Sequence, residues 1–350
     1  MRSKFLTFIA IVVLMSNAVV FATADKKPST AGRQTSRLVS LLPASDGVAV
    51  FDAKRFLNDA LPRVMSANQP LLSEIMAKIS QMESRTGIDL RKFDQVAIGI
   101  AIKQVSAKEL DYEPVAIASG DINAGALVAV ARLASNGTYR LEKIGGKTVY
   151  VFSVKDVAKK VLPVQTTNSK IAGYIDDALT GISHDVAVTA LDRNTLVIGS
   201  FARVRETLEG RSRISADVSS LLSTKDTAVA SFAFRSAGGL SRMLPLDNDE
   251  LGMNLDSIQY LYGSADVSAA GTLVQLVART KQPDQAKGLR ETIEGLQVIG
   301  NVLLGSSKAA DKQVYARMLK NAKFDQRGNE VSLDLLVPQS DIDILIAGHK

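Results

Sequence analysis

Residues Thr86–Ile102 have the sequence Thr-Gly-Ile-Asp-Leu-Arg-Lys-Phe-Asp-Gln-Val-Ala-Ile-Gly-Ile-Ala-Ile. A similar order of residues returns at Leu251–Val267, where Gly252-Met253-Asn254-Leu255 matches Gly87-Ile88-Asp89-Leu90. A helix-like segment precedes each glycine and strand-like residues follow it. Each copy therefore predicts a helix end, a turn and a buried strand. This signal concerns architecture and points to no particular chemistry.

The elements around the two copies predict an α+β fold with two related halves, each with an antiparallel or mixed sheet covered by helices. Both halves run strand, helix, strand, strand, helix, hairpin and helix, and the first has an additional hairpin and linker at Tyr139–Gly181. This order favours an α+β sandwich over a doubly wound parallel sheet. The alternative is that short patterns recur by chance. The predicted division is a signal peptide at 1–24, a flexible lead at 25–36, and halves at 37–210 and 211–350.

Local signals predict where several elements begin and end. Asp52 and Asn123 are placed to cap helices, and hairpin turns are predicted at Gly145-Gly146, Asp192-Arg193-Asn194 and Arg327-Gly328-Asn329. The strand at Gln95–Ile102 has small residues on one side, which would let a helix pack closely. Apolar faces are predicted for three helices, at Leu72, Ile75, Met76, Ile79 and Met82, at Leu127, Val130 and Leu133, and at Leu289, Ile293, Leu296 and Ile299.

The N-terminal segment Met1–Ala24 has the layout of a secretory signal peptide. Two basic residues precede an apolar run at Phe5–Val20, and Ala22-Thr23-Ala24 supplies small residues for cleavage after Ala24. We expect the mature protein to be exported to the periplasm or the extracellular space. The alternative is a retained anchor, because the apolar run approaches the length of a short transmembrane helix.

Composition excludes several classes of function. The 350 residues contain no cysteine and no tryptophan, and 42 basic residues against 36 acidic ones give a formal net charge of +6. Without cysteine the chain has no disulfide, no thiolate nucleophile and no lipid-modified cysteine. The charge is nearly even, and two of the basic residues, Arg2 and Lys4, lie in the N-terminal 24 residues. Nucleic-acid-binding domains usually carry a clustered basic face, so this composition argues against a nucleic-acid partner.

Two stretches resemble a loose set of uncharacterised exported bacterial proteins. They are Tyr139–Phe152 and Leu191–Gly210, the second with the sequence Leu-Asp-Arg-Asn-Thr-Leu-Val-Ile-Gly-Ser-Phe-Ala-Arg-Val-Arg-Glu-Thr-Leu-Glu-Gly. That set shares a tyrosine-bearing hairpin before a strand pair that ends in Gly-Ser and an arginine-containing helix. The resemblance implies an exported bacterial protein and assigns no catalytic residue.

The segment Gly181-Ile182-Ser183-His184-Asp185 comes nearest to a nucleophile motif. A nucleophile elbow requires a second glycine where Asp185 stands. Ser183 and His184 are adjacent, so on a strand their side chains would point to opposite sides and could not form a triad together. We interpret the segment as a loop that leads into a strand.

Two further segments resemble a phosphate-binding loop and a calcium-binding loop, but each lacks a feature that the site requires. Gly146-Lys147-Thr148 copies the end of a phosphate-binding loop, but a hairpin there offers no helix N-terminus. The acidic turn at Asp247–Gly252 begins like a calcium loop, but Leu251 and Ile258 stand where oxygen ligands are required.

The densest basic run is interpreted as a solvated helix end, with contact to an anionic glycan or lipid headgroup as the alternative. Its members are Arg203, Arg205, Arg211 and Arg213.

No catalytic, cofactor-binding or metal-ligating residue is assigned from the sequence, and no cofactor is predicted. The leading hypothesis is an exported, non-enzymatic binding or structural protein of the envelope, with a hydrophobic or lipid-like ligand, peripheral membrane contact or homo-oligomerisation as its modes of action. The alternative hypothesis is a hydrolase that uses a carboxylate pair or Ser183. The sequence does not identify the ligand, the partner or the oligomeric state.

Overall fold

A computed structural model describes residues 37–106, 109–135, 137–153, 185–222, 228–236 and 250–347. Its centre is one antiparallel sheet of twelve strands, in the order β11-β12-β10-β9-β8-β1-β2-β3-β7-β6-β5-β4. The strands are β1 Gly47–Asp52, β2 Phe93–Ser106, β3 Glu109–Gly120, β4 Arg140–Ile144, β5 Lys147–Phe152, β6 Val186–Asp192, β7 Thr195–Ser200, β8 Ala228–Arg235, β9 Ile258–Ser268, β10 Gly271–Thr280, β11 Lys323–Arg327 and β12 Glu330–Pro338.

Helices cover both faces of this sheet, after an initial helical turn at 37–41. A π-helical turn at Phe56–Ala60 joins the first two labelled helices. The helices are α1 Ala53–Arg55, α2 Leu61–Val64, α3 Gln69–Thr86, α4 Ala124–Ala134, α5 Phe201–Glu209, α6 Ala216–Ser219, α7 Glu250–Asp256, α8 Pro283–Gly305, α9 Ala310–Asn321 and α10 Gln339–Ala347. The predicted α+β class with an antiparallel sheet is therefore confirmed.

Two layers of core follow from the alternation of side chains along each strand. Val197 of β7 belongs to the core between the sheet, residues 38–42, α5 and α6. Its neighbour Leu196 contacts the cores beneath α4 on the opposite face. The strand register places the cores under α2, α10 and α8 on that same opposite face.

Most predicted local signals are confirmed. Asp52 and Asn123 cap α1 and α4, and Gly87 ends α3 with φ of 69°. The three predicted hairpins form as β4–β5, β6–β7 and β11–β12. A type I′-like turn at Gly145-Gly146 has φ of 55° and 76°, which glycine adopts without strain.

The small side of β2 does allow close packing, but at Gly99 the neighbour is the non-helical segment 42–45 and not the predicted helix. Ala97 is fully buried, and a Cβ added at Gly99 would lie 2.6 Å from Ser45 Oγ and 3.3 Å from Leu42 Cδ2. The absence of a side chain at Gly99 thus lets residues 42–45 lie directly on the sheet.

Three predictions are wrong. Gly252 does not end a helix but lies within α7, so the second copy of the opening pattern differs locally from the first. Leu133 lies in the last turn of α4 and is 78% exposed, because the buried face of that helix is formed by other residues, Ala124, Leu127 and Val128. Leu296 and Ile299 of α8 are also exposed.

The duplication of the chain stays a prediction. The strand order is β1-β2-β3-β7-β6-β5-β4 on one side of the centre and β8-β9-β10-β12-β11 on the other, and β1 pairs with β8 between them. The two predicted halves thus contribute to one continuous sheet. The signal peptide predicted at 1–24, the flexible lead predicted at 25–36, and residues 154–181 of the predicted linker lie outside the described residues.

Candidate functional site

The Ser183–His184 hypothesis lies outside the described residues. Asp185, which is described, is exposed, and its backbone carbonyl accepts a hydrogen bond from the Phe201 amide at 3.3 Å. Gly146 and Lys147 lie at the tip of the β4–β5 hairpin, as expected. Leu251 and Gly252 of the calcium-like motif lie in helix α7.

Arg203 is a structural residue and not part of a solvated helix end, which corrects the interpretation from sequence. It is 3% exposed, and its Nη2 donates to the carbonyl of Ala44 at 2.6 Å and to Ser45 Oγ at 2.8 Å. Its other terminal nitrogen pairs with Glu206. The guanidinium therefore fastens α5 to the segment that packs on Gly99.

The other members of the basic run also make local contacts. Arg205 stacks over the Phe201 ring at 4.7 Å, and Arg213 donates to the backbone carbonyls of Leu41 and Thr207 at 2.9 and 3.1 Å. The side chain of Arg211 is 83% exposed and pairs with Glu209 at 3.5 Å. The run does not converge on one anion-binding surface.

A polar surface depression of about 430 Å³ lies at the start of α4. The hydrogen bonds around it belong to the turn itself, since the carbonyls of Arg193 and Asn194 accept from Ala124 and Gly120 at 2.9 and 3.3 Å. The depression contains one carboxylate, so it does not supply the acid pair that a glycoside hydrolase uses. Its lining residues are Lys92, Asp121, Ile122, Asn123, Arg193 and Asn194.

The pKa of the Asp52 carboxyl is raised, which favours its neutral, protonated form. Burial raises the pKa of its carboxyl, the hydrogen bond and charge of Arg55 lower it, and the charges of Asp94 and Asp59 raise it further. Its side chain accepts from the Arg55 amide at 2.8 Å as the cap of α1. That bond gives Asp52 a structural role. Among the described residues, no group of three or more His, Asp or Glu side chains is arranged to hold a metal ion.

The exposed side of helix α8 is charged in its first half and aliphatic in its second half, the distal half, which follows Gly295. Near its start the exposed positions carry charges, and Lys287 pairs with Glu291 one turn later at 3.9 Å. After Gly295 the same stripe of the helix presents Val298 and Val302. Residues 295–307 contain no charged side chain at all.

Five large aliphatic side chains of this distal half are exposed, each by 47 to 70%. They are Leu296, Val298, Ile299, Val302 and Leu303. Scattered exposed apolar side chains are normal on a protein surface, but a contiguous group marks an interaction site. This group is the aliphatic stripe, and it is the strongest candidate for a functional surface on the described part of the molecule.

Helix α9 packs antiparallel to the distal half and fixes its orientation. A Cβ at Gly300 would lie 2.7 Å from Leu319 Cδ1, so the two helices approach closely at this point. Gln297 Nε2 donates to the carbonyl of Ala322 at 3.0 Å, and it also donates to that of Leu319. The aliphatic stripe therefore lies on one outer side of a helical hairpin, α8–α9.

Sequence reasoning placed Leu296 and Ile299 in the core and so missed this surface. The available signal was the uncharged run at 295–307, which is unusual for the solvent side of a helix. Among the described helices, none combines the length and the hydropathy that a transmembrane span requires.

No protein-family model matches the sequence, and no curated protein matches it significantly. Among solved structures, crystal form I of TP0453 is similar with a TM-score of 0.41 and 10% identity, over 93% of this chain and 98% of that one. Crystal form IV gives a TM-score of 0.43 at 10% identity over 91% and 100% of the two chains. Crystal form III gives 0.44 at 9% identity over 93% and 100%. At these values the likeness carries no argument about family or function.

Proposed function

We propose that this protein is an exported, non-enzymatic binding protein that acts at a lipid surface, which it contacts through the aliphatic stripe of α8. The observation that carries the proposal is the exposure of Leu296, Val298, Ile299, Val302 and Leu303 on one outer side of a helical hairpin. Export is supported by the signal-like sequence of Met1–Ala24.

The energetics favour partition of the stripe into an apolar environment. Full burial of one Val, Leu or Ile side chain contributes about 1.5–3 kcal/mol, so five partly exposed side chains supply on the order of 5 kcal/mol before the cost of immobilising the protein. This is less than the apolar contribution of one myristoyl chain, so the stripe by itself gives weak, reversible binding to a membrane surface. An amphipathic helix of this kind lies in the interface with its apolar side about 5–10 Å deep.

Co-sedimentation with phosphatidylcholine vesicles tests the proposal. The full chain is expressed with its own leader, and mass spectrometry defines the N-terminus, so that all variants share it. Val302→Asn combined with Leu303→Asn removes two of the five apolar groups and should weaken vesicle binding at least about tenfold.

Leu133→Asn is the matched control, because Leu133 is exposed on α4 and lies outside the aliphatic stripe. This substitution should leave binding unchanged. The proposal is wrong if the α8 variant and the control bind equally, or if the native protein stays in the supernatant both with these vesicles and with vesicles that also contain anionic lipid.

A further inference from the structure

Basic residues predominate in the part of the α8–α9 hairpin that follows Gly295. From Gly295 to Lys323 the chain has five basic residues and one acidic residue, Asp311. One of the five, Arg317, is already committed to Asp341, which it contacts through two nitrogens. The remaining four are Lys308, Lys312, Lys320 and Lys323.

These lysines are exposed, and none of them forms an ion pair with another residue of the described ranges. The first half of α8 differs, because its cations Lys287 and Arg290 pair with Glu291 and Glu294 one turn later. Positive charge is therefore balanced beside the polar half of the helix and unbalanced beside the aliphatic half.

The antiparallel packing brings two of these lysines to the same end of the hairpin as the last apolar groups of α8. Gln297 lies beside Ala322 and Gly300 beside Leu319, so the helices run in opposite directions and the last turn of α8 lies beside the first turns of α9. Lys308 lies in the connection between the helices, and Lys312 in the first turn of α9. Both therefore follow Val302 and Leu303 closely, and their long aliphatic stems can lie along an apolar surface while the ammonium groups reach outward.

We propose that the occupant of this surface is a bilayer that contains anionic phospholipid, with the aliphatic stripe in the interfacial layer and Lys308 and Lys312 on headgroup phosphates. This inference rests on the proposed function and adds the chemical class of the lipid. Each lysine near an anionic membrane surface strengthens binding about fivefold at low salt.

A second copy of the chain fits the same surface less well. In a two-fold symmetric dimer the same patch faces itself. The unpaired lysines of one copy would then face the same lysines of the other copy, and Asp311 is the only acidic residue between Gly295 and Lys323 that could offset them. Charge complementarity therefore favours the anionic bilayer.

The test compares two vesicle compositions, phosphatidylcholine alone and equal parts of phosphatidylcholine and phosphatidylglycerol, at low and high salt. We expect tighter binding to the anionic vesicles and a loss of this excess at high salt. Lys308→Gln and Lys312→Gln should each weaken binding to anionic vesicles about fivefold and leave binding to phosphatidylcholine unchanged. Lys287→Gln, in the polar half of α8, is the control and should have no effect.

Each result decides between the two proposals. Equal binding to both compositions overturns the anionic-lipid inference and leaves apolar docking in place. Lack of binding to either composition overturns both. A concentration-dependent dimer that the Val302→Asn/Leu303→Asn variant abolishes, together with no vesicle binding, would assign the surface to a second copy and overturn both as well.

Discussion

Gln297 of α8 donates a hydrogen bond to the backbone carbonyl of Ala322, the residue that ends α9, at 3.0 Å. The last carbonyls of a helix have no partner within the helix, so this glutamine satisfies groups that would otherwise depend on water. The same side chain also reaches the carbonyl of Leu319. One uncharged side chain thus holds together the hairpin that presents the aliphatic stripe.

Gln297→Ala should lower the free energy of unfolding by about 1 kcal/mol, since two hydrogen bonds are lost and water replaces them in part. Hydrogen exchange should accelerate in α9 and stay unchanged in the central strands β1 and β2. Gln313→Ala removes an exposed glutamine of α9 whose hydrogen bond to the Ser307 carbonyl is long, at 3.4 Å, so it should change both quantities much less. Equal effects of the two substitutions would show that Gln297 does not fix the hairpin.

Gly99→Ala should destabilise the protein by about 1–3 kcal/mol, because the new Cβ would lie 2.6 Å from Ser45 Oγ in a close-packed region.

Gly295→Ala should instead raise the free energy of unfolding. Gly295 lies in the exposed middle of α8 with no atom near its missing Cβ, and alanine favours the helix by about 1 kcal/mol. Denaturant unfolding measures both changes, and a stabilising Gly99→Ala would contradict the packing described for β2.

Arg203→Met should cost about 2–3 kcal/mol, because it leaves the Ala44 carbonyl and Ser45 hydroxyl without their buried donor. Arg211→Met is the comparison within the same basic run. The Arg211 side chain is 83% exposed, so its loss should stay within about 0.5 kcal/mol. Thermal unfolding of the two variants distinguishes them, and similar melting temperatures would restore the interpretation of the run as a solvated helix end.

Asp52→Asn should stabilise the protein at neutral pH. Burial raises the pKa of Asp52, so the folded state binds a proton more tightly than the unfolded state. The free energy of unfolding therefore falls as the pH rises from the ordinary carboxyl pKa through the raised pKa of the folded state. Asparagine keeps the cap to Arg55 and carries no charge. The gain should therefore shrink as the pH falls toward the ordinary carboxyl pKa, where Asp52 is protonated in the native protein too. A gain that is constant with pH would show that the charge of Asp52 is not the cause.

The sequence predicted local structure better than it predicted exposure. Glycine and cap positions such as Gly87, Asp52 and Asn123 act within a few residues, so their effect is visible in the sequence itself. Whether an apolar helix position faces the core depends on the neighbouring element. Leu289 packs into the core beneath α8 and is fully buried, whereas Leu296, two turns later on the same predicted face, is 47% exposed.

The same reason explains the error at Arg203. Its spacing within α5 gave no sign that a segment about 160 residues earlier in the chain would cover it, with the contact to Ala44 spanning 159 positions. Charged residues are seldom buried without partners, and here the partners are remote backbone and side-chain oxygens. A single sequence does not reveal such long-range pairs.

The most direct test of the aliphatic stripe uses the absence of tryptophan from the chain. Val302→Trp introduces one fluorescent reporter into the stripe, and Leu133→Trp introduces one into the exposed end of α4 as the control. On addition of vesicles of phosphatidylcholine and phosphatidylglycerol, emission from the first variant should shift to shorter wavelength and be quenched by brominated acyl chains, while emission from the second stays unchanged. Unchanged emission from the Val302→Trp variant, or an equal shift in both, would contradict lipid contact by α8.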